Sequence, residues 1–150
     1  MDRTILRITG FLHEIGLETR EEALPDTTFL PGVTLRNGAV VFDPEKLIFP
    51  GDLLHEAGHL AVIPPDRRTT LEGDAGDDPA EEMMAIAWSW AALCHLELDP
   101  TLVFHAEFKG GGASIIENFS NGHYFGVPML QWVGLTEQKL FPRMLGWVRS

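Results

Sequence analysis

A single cysteine, Cys94, stands among the 150 residues, so no intramolecular disulfide is available and a stable core must come from apolar burial. Basic residues are scarce: 11 Lys and Arg against 22 Asp and Glu leave a net charge of −11. Such a surface repels nucleic-acid phosphates and anionic lipid, so nucleic acid is not an expected partner. No apolar run approaches the length of a membrane span, and the opening MDRTILRITG lacks the uninterrupted apolar stretch of a secretory signal. A cytoplasmic protein without a membrane partner is the expectation. Low-complexity tracts and internal repeats are missing too. Hydrophobic residues at 45% and charged residues at 22% are ordinary for a globular chain, which reads as one domain over residues 1–150.

What is present reads as a helix-rich α+β fold. Ile5, Ile8, Leu12 and Ile15 recur at helical spacing and predict an amphipathic N-terminal helix that stops near Gly16. In VTLRNGAVVF, Asn37-Gly38 between two β-rich runs predicts a hairpin, and with it a small antiparallel sheet. A short helix through LLHEAGHLAVI follows, with Asp52 as its cap and Pro64-Pro65 as its stop. PDRRTTLEGDAGDD then reads as a polar loop. Asp78, Pro79 and Glu81 spell a capping box for a long helix through EEMMAIAWSWAALCHLEL. Shorter helices are expected in PTLVFHAEF, SIIENFSN, VPMLQWVG and TEQKLFPRML.

The chemistry lies in GDLLHEAGHLAVIPP. Residues four apart on a helix share a face, so His55 and His59 can offer imidazole nitrogens to one ion, with Glu56 beside any water the ion holds. Neutral imidazoles bind zinc and a carboxylate takes a proton from zinc-bound water. One Zn²⁺ per chain is the expected cofactor, although nitrogen and carboxylate ligands also hold other divalent ions. A catalytic zinc needs a third protein ligand. The double proline turns the chain back toward a helix that opens with Glu81 and Glu82. Glu81 is placed to fold back on its own cap, whereas Glu82 begins a stripe with Ala85, Ile86, Ser89 and Leu93 that can face the histidine helix, so Glu82 is preferred and Glu81 is the alternative. Gly58, costly inside a helix, suggests that another backbone comes close there.

HEAGH, followed after a polar loop by an alanine-containing helix that opens with glutamate, resembles the zincin metallopeptidases, in particular the gluzincin-like arrangement. With the preceding hairpin it is similar to the small ImmA/IrrE-like bacterial metallopeptidases over roughly residues 33–96. The downstream Gly and His of the metzincins are absent. The resemblance implies a zincin-like fold, one zinc, ligands at His55, His59 and a glutamate opening the next helix, Glu56 as general base, and a peptide or protein substrate.

Other features carry less. His13-Glu14 imitates the motif, but position 17 is Leu. KGGGAS (109–114) lacks the Walker spacing and reads as a flexible connection, and the acidic loop around Asp74, Asp77 and Asp78 lacks the EF-hand order. Cys94 reads as a small buried hydrophobe, His95 as a packed or helix-terminal histidine, and the four tryptophans mostly as core or cleft walls. A donor opposite the metal is sought in Tyr124 or His123, and more weakly in His105. The function expected is a zinc-dependent metallopeptidase. A regulatory or protein-binding module with a structural metal is the alternative, and a non-peptidase amidohydrolase would use the same residues. Oligomeric state has no signature in the sequence.

Overall fold

The computed structural model describes residues 2–73 and 78–150. The chain runs α1 (Arg3–Glu14), β1 (Glu18–Glu21), β2 (Val33–Arg36), β3 (Ala39–Phe42), α2 (Gly51–Val62), α3 (Pro65–Arg68), α4 (Pro79–Leu96), a 3₁₀ turn at Pro100–Leu102, α5 (Ala113–Ser120) and α6 (Val127–Trp132). It is a mixed α+β fold. In α1 the Asp2 carboxylate accepts from the Thr4 and Ile5 amides, and Ile5, Ile8, Phe11 and Leu12 form the buried face. Asn37 and Gly38 both take positive φ, +53° and +79°, as a two-residue type I′ turn requires.

The sheet order is β1-β3-β2, with β2 antiparallel and β1 parallel to β3. The expected purely antiparallel sheet is therefore corrected to a mixed one. β1 is the polar segment ETRE and lies half-exposed at an edge, so it lacks the apolar alternation by which strands are recognised. The segment 22–32 carries the chain across to the hairpin.

At the centre α2 packs on α4, with α1, β2 and β3 against α2 and α6 against α4. Every residue of α2 is buried, and α4 is buried continuously from Met84 to Leu93. Helices covered on all sides lose the one-faced apolar stripe of surface helices. Close approach is possible because a Cβ on Gly58 would stand 3.0 Å from Trp88 Cε3 and 3.3 Å from the Ala85 carbonyl oxygen.

Several local expectations are corrected. Asp52 does not cap α2: the cap position is Pro50, without a side-chain bond, and Asp52 lies buried in the first helical turn. Part of the polar loop is helix α3, whose Arg68 guanidinium donates to the Leu60 carbonyl at 2.9 Å and to that of Ile63 at 3.2 Å. The Arg149 amide donates to the Ala61 carbonyl at 2.8 Å. Pro64-Pro65 leaves these helix-end carbonyls without amide partners, and the arginines and the C-terminal segment supply them. PTLVFHAEF forms only a 3₁₀ turn at its start and TEQKLFPRML forms turns. Cys94 is exposed because it lies on the side of α4 beyond the buried stretch. Trp88 and Trp90 are core residues, whereas Trp132 is 86% exposed. Asp74 and Asp77 lie outside the described residues.

Candidate metal centre and cleft

His55 and His59 are 3% and 4% exposed and Glu56 6%, so α2 buries three ionisable side chains in five residues. Burying such groups is costly unless each is partnered. The two imidazoles turn toward each other, with Nε2 atoms 3.2 Å apart. The Glu82 carboxylate reaches both, Oε1 at 2.9 Å from His55 Nε2 and Oε2 at 3.2 Å from His59 Nε2. Two donors held at about 2.0–2.1 Å on one tetrahedral ion lie about 3.3 Å apart. The Nε2–Nε2 separation of 3.2 Å fits that edge, and one oxygen of Glu82 lies near each imidazole.

Further details suit a divalent ion. Glu82 Oε1 is buried and, despite its nearness to His55, is without hydrogen-bond alignment to any partner among the described residues. Burial pushes the His55 imidazole below its ordinary range, favouring the neutral form that coordinates. His55 Nδ1 lies 3.4 Å from Ser89 Oγ, which donates to the Ala85 carbonyl oxygen at 2.7 Å. The hydroxyl lone pairs therefore suit an Nδ1–H tautomer, leaving the Nε2 lone pair for the metal. Burial also pushes the Glu82 carboxyl upward, but the adjoining His55 and His59 outweigh it and hold the group well below the usual carboxylate range. Among the described residues, His55, His59 and Glu82 are the one group of three such side chains whose ligand atoms converge.

Glu81 goes elsewhere. Asp78 caps α4 by accepting from the Ala80 amide at 2.9 Å and the Glu81 amide at 3.3 Å. The Glu81 carboxylate does not return to the cap as a capping box requires. It pairs with the Arg67 guanidinium of α3, a helix within a segment whose composition is that of a polar loop. Glu82→Gln is therefore expected to weaken metal binding by more than the roughly 10–100-fold typical of losing an outer-shell partner. Glu81→Gln should cost only about 0.2–1 kcal/mol of stability, the range of an exposed ion pair. Metal titration and thermal unfolding of both variants check this.

His55 and His59 open onto a cleft of about 170 Å³ lined also by Glu56, Asp52, His105, Phe108, Phe29 and Lys109 among others. Buried Asp52 and half-buried His105 form a pair there: His105 Nε2–H donates to Asp52 Oδ1 at 2.9 Å, and Phe49 stacks on the imidazole with ring centroids 3.8 Å apart. His105 Nδ1 and Asp52 Oδ2 are buried without a hydrogen-bond partner among the described residues. Burial pushes the Asp52 carboxyl up, against the lowering effect of His105, and Glu107 adds to the rise. The sequence did contain a sign of this, since Asp52 precedes His55 by three residues and so shares its face of the helix. His105 is the weaker of the donor candidates in the sequence, and no spacing ties it to Asp52.

Tyr124 and His123 are not among the residues of the cleft wall. The Tyr124 ring packs on Phe119 and Phe141, and His123 is exposed, its amide donating to the Asn118 carbonyl at 2.8 Å. His13 is exposed near the end of α1. His95 packs against Phe11 and Trp147. Comparison with protein-family models, curated proteins and solved structures found no match.

Proposed function

We propose that the protein is a metal-dependent hydrolase of the zincin type, acting on peptide bonds, with His55, His59 and Glu82 as ligands of one divalent ion, most simply Zn²⁺. The observation that carries this reading is the convergence of one possible ligand atom from each of His55, His59 and Glu82 beside the buried Glu56, at a cleft that both histidines line. A bound ion would act as a Lewis acid, lowering the pKa of a water and polarising the scissile carbonyl. Glu56, buried beside the histidines, would accept a proton from a water at the site and return it to the leaving amine. His105 gives its Nε2–H to Asp52, so in its doubly protonated form it would offer Nδ1–H to the carbonyl oxygen as negative charge grows there, the role sought in Tyr124, in His123 and more weakly in His105 itself. The resemblance of HEAGH and its neighbouring elements to the ImmA/IrrE-like metallopeptidases supports the same reading.

A binding module with a structural metal is the competing class. Structural zinc sites are closed by a fourth protein ligand, and the converging group comprises three side chains among the described residues, which favours the hydrolase. Metal analysis of protein purified without a histidine tag tests the proposal. About one equivalent of a divalent ion per chain is expected, as for a catalytic zinc site, and tag-free protein that neither contains nor takes up a divalent ion would refute it.

A further inference from the structure

The third ligand has a cationic neighbour. Lys109 Nζ donates to Glu82 Oε2 at 2.8 Å, closer than His59 Nε2 at 3.2 Å. The local backbone explains how the lysine arrives. Gly110 and Gly111 take φ of +78° and +95°, and the Gly112 amide donates to the His105 carbonyl at 3.0 Å. A Cβ on Gly112 would stand 2.1 Å from the Phe104 carbonyl oxygen, so only glycine closes the turn. The glycine run, expected as a flexible connection, thus forms a compact turn. It sets Phe108 edge-on to His55, with ring centroids 5.1 Å apart, and Lys109 on Glu82. Among the described residues, Lys109 is the one lysine or arginine in the cleft wall.

The two oxygens of Glu82 are therefore unequal. Oε1, 2.9 Å from His55 Nε2, is buried without a hydrogen bond among the described residues, while Oε2, 3.2 Å from His59 Nε2, is also held by an ammonium. A carboxylate ligates through one oxygen or two, and a second oxygen would take the position that a catalytic site keeps for water. We propose that Lys109 is a positioning residue that holds Glu82 to one-oxygen ligation through Oε1 and so keeps a coordination position open for water or substrate. This inference rests on the metal-centre reading above. Removing the ammonium frees Oε2 to chelate, so the ion stays bound while the open position is lost.

Cobalt(II) reports coordination number by its visible absorption, and acetohydroxamate serves as a probe of the open position. Co²⁺-loaded wild type is expected to bind the probe. In Lys109→Met the Co²⁺ should be retained, the visible absorption should weaken as coordination number rises, and acetohydroxamate affinity should fall by about tenfold or more. Lys109→Arg, which keeps a cation at Oε2, should match wild type. An unchanged spectrum and unchanged probe affinity in Lys109→Met would overturn the inference, as would loss of Co²⁺ as complete as in Glu82→Gln. Failure of wild type itself to take up Co²⁺ is a different result: it removes the metal-centre reading, and this inference with it.

Discussion

Glu56→Gln is expected to keep the metal and the fold and to lose hydrolysis. Glu56 is buried on α2 between the two histidines and lines the same cleft, and the proposed mechanism gives it a proton to accept and return. Glutamine preserves the shape but cannot carry a proton between water and amine. Positioned acid–base groups contribute roughly 10²–10⁴-fold, so kcat/KM on a peptide-library substrate should drop by about that factor with metal content unchanged. The alternative class behaves differently: a binding module would retain partner binding in Glu56→Gln and lose it in His55→Ala. Undiminished cleavage by a verified Glu56→Gln preparation would sink the peptidase mechanism.

The second large effect is on the ion itself. His55→Ala and His59→Ala should each lose most metal affinity, whereas His13→Ala should lose none. Dividing the roughly 10–16 kcal/mol of a structural zinc site among four ligands gives on the order of 3 kcal/mol per donor, about 100-fold in affinity. Isothermal titration with Zn²⁺ measures it directly. A thermal shift gives an independent reading, because an ion that binds only the native state raises the unfolding temperature. Wild type and His13→Ala should be stabilised by added Zn²⁺ to the same degree, and the two α2 variants should not. His13 precedes a glutamate as His55 does, but its partner position holds Leu17, a buried core residue, so equal metal loss in His13→Ala would contradict the ligand assignment.

Much of the path to the site was legible because its signals are local. Two histidines four apart need only a helix to share a face, and Asp78-Pro79 marks where the next helix begins. Asn37-Gly38 could be read as a turn because its positive φ values are a property of those two residues. The choice of Glu82 over Glu81 also followed from position within one helical turn, although Glu81's partner turned out to be Arg67. β1 escaped notice because an edge strand of sequence ETRE buries little and so needs no apolar alternation. Asp52 was misplaced because a carboxylate near a helix start is read as a cap when nothing nearby shows that the position will be buried.

By itself, then, the sequence determined the helix that presents His55, Glu56 and His59, the start of the helix that carries Glu82, and the chemistry those side chains are suited to. Only the tertiary structure decided that Glu82 arrives within 3.2 Å of both imidazoles, that His105 crosses from beyond the 3₁₀ turn to pair with Asp52, and that a turn of three glycines lays Lys109 on Glu82. The reason is the range of the forces. Helix periodicity, caps and turns depend on residues within about one helical turn of one another, and so leave a trace in spacing. Contacts such as His105 with Asp52 or Lys109 with Glu82 join residues far apart in the chain. They come about when α2 and the middle of α4, buried on all sides, are covered by the segments that pack against them.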